Sequence, residues 1–284
     1  MNLCDLNVIK LLLSKHGFSF SKGLGQNFLC QEWVPYDIAE GADITPETCV
    51  LEVGPGIGTL TTQLASRANK VVAVELDKRL PDLLAETLVQ HDNVEIVSGD
   101  ILKVNIPELV AEKFGDAPAV ACANLPYYIT TPAIETLIKS GCFSTITVMV
   151  QKEVAERICS GPGTGEYGAF SVFVQYYAEP EIILDVPRDC FIPAPKVDSA
   201  VVRMRLRQEK AVQVQDEKMF FRTVRGSFAQ RRKTLINSLS QEFGNLTKDQ
   251  IRDIVVSCGI DPGCRGETLT LAQFGALADA FFQY

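Results

Sequence analysis

The chain has 284 residues, of which 46% are hydrophobic and 22% charged. That is the profile of a globular protein with room for one α/β domain of about 200 residues plus a small appendage. The formal net charge of −8 argues against a general nucleic-acid binder, because affinity for a phosphate backbone comes from lysine and arginine.

The charge is unevenly placed. From Lys196 to Lys233 there are eleven basic residues and four acidic ones, a local balance of +7, so any contact with RNA must be regional. No apolar run approaches the roughly 20 residues of a membrane span, and the N-terminus lacks an apolar core followed by a cleavage site. A cytoplasmic protein with no membrane partner is expected. The nine cysteines are odd in number, scattered and never in a C-x-x-C pair, so reduced, buried thiols are expected rather than disulfides, and no metal site.

In chain order, the first element is an apolar helix candidate, Val8 to Leu13, followed by the glycine-rich segment Gly23-Leu24-Gly25-Gln26-Asn27-Phe28. Five β-rich runs then alternate with helical patterns: Cys49 to Val53, Val71 to Leu76, Val94 to Val97, Ala117 to Ala123 and Thr145 to Val150. This alternation predicts a mostly parallel sheet with helices on both faces. Phe170 to Ala178 reads as an aromatic helix, and Glu181 to Val186 and Ala200 to Leu206 as a closing hairpin. From about Gln208 the pattern is helical, with apolar faces at Phe221, Val224 and Phe228, at Leu235 and Leu239, and at Ile251, Ile254 and Val255. The expected division is a first domain over 1–207, with an N-terminal helical segment 1–28, and a small all-α domain over 208–284.

The turn Glu52-Val53-Gly54-Pro55-Gly56-Ile57-Gly58 follows a strand and opens a helix near Thr59, which is the geometry a nucleotide-type cofactor needs to approach the backbone. Glu75, 17 residues after Gly58 at the next strand end, can accept both hydroxyl hydrogens of a ribose. Asp100, ending the third strand, is placed to accept from an adenine amine. The glycine pattern G-x-G-x-G leans mildly toward S-adenosylmethionine over a dinucleotide.

The fourth strand end carries Asn124-Leu125-Pro126-Tyr127. N6 of adenine is a poor nucleophile, since its lone pair is delocalised into the ring. The Asn124 side-chain oxygen and the Leu125 or Pro126 carbonyl, each accepting one N6 hydrogen, would favour a more pyramidal nitrogen aimed at a methyl group. Tyr127 can stack on an extruded base, and Phe191, which opens a stiff two-proline loop, can form the other face of that sandwich. The same tetrapeptide could instead be a turn leading to a helix capped by Thr130 or Thr131 before Pro132. Positioning would do most of the catalysis, with neither metal nor strong base. The run Arg231-Arg232-Lys233, with Arg222 and Arg225, is the expected phosphate-contacting set. His16 and His91 stand apart from any acid pair.

Taken together, these blocks resemble the bacterial ribosomal RNA adenine dimethyltransferases of the KsgA (RsmA) type. The matching segments are Gly25 to Leu29, Glu52 to Gly58, Val74 to Asp77, Gly99-Asp100, Asn124 to Tyr127, Tyr167-Gly168 with Ser171-Val172, Phe191 to Ser199, Phe228 to Leu235 and Arg265 to Leu269. The resemblance implies a class I S-adenosylmethionine-dependent methyltransferase fold (Rossmann-like) with a small all-α C-terminal domain. It implies dimethylation of N6 of two adjacent adenosines in the 3′-terminal hairpin of 16S rRNA, within the small-subunit precursor, by a monomer. Carried over to this chain, donor contacts fall on Asn27, Leu29, Gly54, Glu75, Asp100 and Asn124. Target-base contacts fall on Asn124, Leu125, Pro126, Tyr127 and Phe191. The overall acidity departs from the usual character of an RNA-modifying enzyme. The nearest alternative is an erythromycin-resistance type enzyme acting on 23S rRNA; a non-catalytic assembly factor and a nicotinamide oxidoreductase are the others.

Overall fold

The computed structural model describes residues 1–17 and 27–284. Segment 23–26, including the Gly25-Gln26 part of the family resemblance, lies outside the described residues. In chain order the elements are α1 (Leu6–Lys15), β1 (Phe28–Leu29), α2 (Trp33–Glu40), β2 (Cys49–Val53), α3 (Thr59–Ala65), β3 (Lys70–Glu75), α4 (Pro81–Thr87), β4 (Val94–Ser98) and α5 (Ile106–Phe114). They continue with β5 (Ala119–Asn124), α6 (Thr130–Ser140), β6 (Thr145–Gln151), α7 (Lys152–Cys159), α8 (Ala169–Tyr177), β7 (Ala178–Val186), β8 (Phe191–Ile192) and β9 (Ser199–Leu206). The last four helices are α9 (Glu217–Phe228), α10 (Leu235–Glu242), α11 (Lys248–Ser257) and α12 (Leu271–Phe282).

Seven strands form one sheet in the order β4-β3-β2-β5-β6-β9-β7. β4 through β6 run parallel, and β9 is antiparallel to β6, with Val148 opposite Val202. The five sequence-read strands are those of the parallel part, because continuous Val, Ile and Ala runs suit strands covered on both faces. β2 is buried along its whole length. The chain builds β2, β3 and β4 toward one edge, then returns to place β5 and β6 on the other side of β2. That reversal opens a crevice beyond the strand ends, where sheets of this kind bind ligands.

The chain divides into two units, Met1–Ala155 with Pro180–Leu206, and Glu156–Glu179 with Arg207–Tyr284. In the first, one apolar cluster joins Val50, Leu64, Val71, Val120 and Met149 with Phe191 and Val201. A second cluster is built on α1, whose Ile9, Leu12 and Leu13 share one face and pack with Ile57, Leu80 and Leu84. The Asp5 carboxylate caps α1, accepting from the amide of Asn7 at 2.7 Å.

In the second unit, α11 and α12 each begin with a reciprocal Thr/Gln capping box, Thr247 with Gln250 and Thr270 with Gln273. The core gathers Tyr167, Tyr176, Phe220, Leu239, Val255 and Phe274. Tyr176 stacks on Phe220 at 4.7 Å between ring centroids, and the Tyr167 hydroxyl donates to the Leu269 carbonyl at 3.2 Å. These contacts correct the domain boundary read from the sequence at residue 207. Residues 156–179 belong with the C-terminal helices, since their aromatic side chains are buried there. The apolar face of α9 also differs from the reading: Phe220 is fully buried, while Phe221 and Phe228 pack only in part. The N-terminal segment 1–28 is likewise not all helical, because Phe28 begins a strand that pairs antiparallel with β8.

Candidate active site

The strand ends that line the crevice are in register. Val53 pairs with Val74 and Ala123, Glu75 with Ser98, and Asn124 with Met149. The last residues of β2, β3, β4 and β5 therefore stand side by side, and a cavity of about 230 Å³ opens beyond them. Its lining includes Asn27, Leu29, Gly54, Glu75, Asp100, Asn124, Leu125, Pro126, Tyr127 and Phe191. Every donor- and base-contacting residue read from the sequence is thus brought to one hollow.

Gly54 takes φ +68° with open space where a Cβ would stand, so the turn gives a ligand direct access to the backbone. Gly58, at φ +89°, forms the N-cap of α3. Glu75 is buried, accepts the Asp77 amide at 2.7 Å, and has its carboxyl pushed up by burial, partly offset by backbone amides. Asp77 is in turn held by Arg79 at 2.6 Å. Asp100 accepts the Leu102 amide at 3.1 Å.

The Asn124 side-chain nitrogen donates to the carbonyl of Asn27 at 3.5 Å, which directs its amide oxygen away from that contact as an acceptor. Leu125 is fixed through its own amide, which donates to the Met149 carbonyl at 3.2 Å. The Pro126 carbonyl receives the Ile129 amide at 3.1 Å as the chain turns into α6. Of the two carbonyls the sequence left open, Leu125 is therefore the one not engaged by this turn. The Tyr127 hydroxyl lies 2.8 Å from Ser199 Oγ, and burial pushes its pKa up. The helix-leading turn and a place in the cavity are compatible, because Tyr127–Ile129 form a short 3-10 turn ahead of α6 while the tetrapeptide stays on the cavity lining.

Phe191 is 4% exposed, packed in the core beside Leu29 and Cys190, and presents only part of its ring to the cavity. It is held there by the β1–β8 pairing, in which Leu29 faces Phe191 and the Cys30 amide donates to the Cys190 carbonyl at 2.8 Å. That pairing had no sequence signal, since two-residue strands carry no periodicity. Several lining residues were not singled out from the sequence, Tyr128 and Glu52 among them. Tyr128, which follows the tetrapeptide, is 55% exposed. Glu52 is 1% exposed, and a carboxyl within the apolar run Cys49 to Val53 was the signal available for it.

The basic stretch is altered by its tertiary partners. Arg203 and Arg205 pair with Asp43 at 3.1 and 2.8 Å and with Glu181 at 2.6 and 2.9 Å. Arg207 pairs with Glu179 at 2.7 Å, and Lys210 pairs with Glu217. Within the expected phosphate-contacting set, Arg222 binds Glu242 at 3.0 Å and lies over the Phe243 ring. Arg231 donates to the Gly165 carbonyl and, at 3.2 Å, to that of Tyr167. Both of these side chains are engaged in bracing the helical unit, although Arg231 is exposed, as are Arg225, Arg232 and Lys233.

All nine cysteines are thiols, four of them buried and five only partly so, which narrows the expectation of buried thiols. Burial raises the Cys4 thiol to about 11 and raises that of Cys122 further. Among the described residues no helix is long and apolar enough to cross a membrane.

A family model described as ribosomal RNA adenine dimethylase matches residues 17–280. The chain is 50% identical over 275 residues to the ribosomal RNA small subunit methyltransferase A of Geobacillus kaustophilus, covering 95% of this chain and 94% of that one. It is 47% identical to the protein of the same name from Clostridium perfringens, covering 99% of each. Among solved structures, a dimethyladenosine transferase from Plasmodium falciparum superposes with a TM-score of 0.75 at 25% identity, over 90% of this chain and 97% of that one. The 23S rRNA methyltransferase ErmE gives 0.69 at 29% identity, over 90% of this chain and 100% of that one. The fold is that of class I methyltransferases, and the large-subunit alternative is disfavoured by the higher identity to the small-subunit enzymes. By sequence, fold and site, the chain belongs to the ribosomal RNA adenine dimethylase family.

Proposed function

We propose that the chain uses S-adenosylmethionine to dimethylate N6 of two adjacent adenosines in the 3′-terminal hairpin of 16S rRNA, on the small-subunit precursor in the cytoplasm, acting as a monomer. The observation that carries this reading is the convergence of Asn124 and Leu125, at the end of β5, on the same cavity as Gly54, Glu75 and Asp100, with the Asn124 side-chain nitrogen bound to the Asn27 carbonyl.

The cavity fits the donor. Gly54 leaves open space, and Glu52 Oε2 and Thr59 Oγ1 are buried on its lining without a hydrogen-bond partner. Buried polar atoms are nearly always satisfied, so these two indicate a polar ligand. Glu75 would hold the ribose and Asp100 the purine amine, with Leu76, Ile101 and Leu102 as apolar walls. When bound, the donor supplies an electrophilic methyl group on a sulfonium.

The residues of this chain do the rest by placement. Asn124 and Leu125 each accept one hydrogen of the target N6, which localises its lone pair toward the methyl group. Tyr127, restrained by Ser199, stacks on the base, and Phe191 bounds the opposite side. Holding the two reactants in line replaces general-base chemistry, because the product amine sheds its proton readily once methylated. On the helical unit, Arg225, Arg232 and Lys233 supply phosphate contacts while Arg222 and Arg231 hold the helices that present them.

The test is to incubate the protein and donor with small-subunit precursor particles and, separately, with 23S rRNA, then count methyl groups by mass spectrometry. Four methyl groups per 16S molecule, on two adenosines, are expected. Methylation of 23S rRNA alone would refute the reading.

A further inference from the structure

The cavity holds a carboxyl that methyl transfer does not use. Glu52 lies on the central strand, with Ala73 of β3 and Cys122 of β5 as its neighbours in the sheet. It is 1% exposed, lines the cavity, and its Oε2 atom has no hydrogen-bond partner among the described residues. The groups facing it are Glu75 from β3, Cys122 from β5 and the Thr61 hydroxyl from α3. Among the described residues the lining contains three acids, Glu52, Glu75 and Asp100, and no lysine, arginine or histidine. A hollow with that composition favours a ligand carrying net positive charge.

On the reading above, the charge of the ligand changes during turnover. The donor carries a sulfonium, an ammonium and a carboxylate, a net charge of +1; the product thioether keeps the last two and is neutral. Methyl transfer breaks the S–CH3 bond, leaves its electron pair on sulfur and forms the N6–C bond, after which the methylated nitrogen loses a proton to water. We propose that Glu52 follows this change, giving up its proton to solvent when the sulfonium donor binds and recovering one from solvent when the neutral product remains, so that the site favours donor over product.

The inference rests on the donor assignment but adds to it. Burial holds the Glu52 carboxyl up at about 8, with the Thr61 hydroxyl lowering it and Glu75, to a lesser degree, raising it. It therefore carries a proton at neutral pH in the ligand-free protein. A cation in the same low-dielectric hollow stabilises the ionised form.

Calorimetry of S-adenosylmethionine and S-adenosylhomocysteine binding, in phosphate and in Tris at pH 7, counts the protons released by each ligand. Close to one proton is expected with the donor and markedly less with the product. Donor affinity should rise by up to about tenfold per pH unit between pH 6 and 8, with product affinity nearly flat. In Glu52→Gln the release should vanish and the donor-to-product affinity ratio should narrow by about tenfold or more. Equal proton release with both ligands, or pH-independent donor affinity, overturns the proposal on the wild-type protein alone. Release that persists in Glu52→Gln assigns the proton to another group, Glu75 foremost, and overturns it too. Failure of both ligands to bind removes the donor assignment itself, and this inference with it.

Discussion

The hydroxyls of Tyr127 and Ser199 lie 2.8 Å apart, joining the end of β5 to the start of β9 across 72 positions of sequence. Tyr127 is the ring proposed to stack on the target base, and this bond fixes its tilt. A single neutral hydrogen bond is worth about 1 kcal/mol, or roughly fivefold. Ser199→Ala and Tyr127→Phe should each lower kcat/KM for the RNA by about that factor. The double variant should lose little more than either alone, and donor affinity should be unchanged; additive losses in single-turnover kinetics would show that the bond does not act on the ring.

On the proposed reading Asn124 has a heavier role: its amide oxygen would accept from the nucleophile while its nitrogen is held by Asn27. Asn124→Ala should lower kcat by about 10²- to 10³-fold, the usual cost of removing one preorganised polar group at a reacting centre. Rapid-quench measurement with labelled donor checks this, and near-normal turnover would exclude Asn124 from the clamp.

Gly54 combines a left-handed backbone with open space at the missing Cβ. Gly54→Ala should cost about 1 to 2 kcal/mol of stability from the backbone alone. It should also weaken donor binding, because the added methyl group occupies the hollow. Thermal unfolding with and without donor separates the two effects, and a variant whose donor-induced shift in Tm equals that of wild type would show that the turn does not face the ligand.

On the proposed reading, the cations of the helical unit separate into two functions. Replacing Arg225, Arg232 and Lys233 with glutamine should reduce the salt dependence of RNA binding by about 0.7 to 0.9 in log–log slope for each phosphate no longer neutralised. Stability should hold. Arg222→Gln should instead lower stability by about 1 kcal/mol, since it removes the Glu242 pair and the packing on Phe243, with a small change in slope. Filter binding across a salt series, with chemical denaturation of the same variants, reads both; a full slope change from Arg222→Gln alone would reverse the assignment.

Glu52 makes stability depend on pH in a direction opposite to that of a salt-bridged acid. Its carboxyl is raised from an ordinary 4.5 to about 8 in the folded protein. The contribution of that bound proton is fully present below the unfolded value and is lost as pH rises through the folded one. Between pH 5 and 8 the ligand-free wild type should lose up to about 1.4 kcal/mol per pH unit relative to Glu52→Gln. Parallel denaturation curves at pH 5, 6, 7 and 8 check this. A difference between the two proteins that stays constant over the range would mean that Glu52 ionises normally in the fold.

The amino-acid sequence determined the parallel sheet, the glycine turn and the strand ends that carry Glu75, Asp100 and Asn124. These are local properties, set by apolar runs suited to buried strands and by turn chemistry a few residues long. That Asn124, Leu125 and Tyr127 line one cavity was legible for the same reason, since they are neighbours in sequence. The engagement of the Pro126 carbonyl, by an amide three residues on, is equally local; tertiary structure decided the rest. It alone placed Leu29 against Phe191, through a two-strand pairing that joins segments 162 positions apart. It also reduced the apparent basic surface, since Asp43, Glu179, Glu181 and Glu242, distant in sequence from most of their arginine partners, neutralise charges that a linear count leaves free. Local pattern encodes backbone conformation; ion pairing, burial and the ionisation of Glu52 depend on which distant groups the fold brings within a few ångströms, and only the assembled chain fixes those distances.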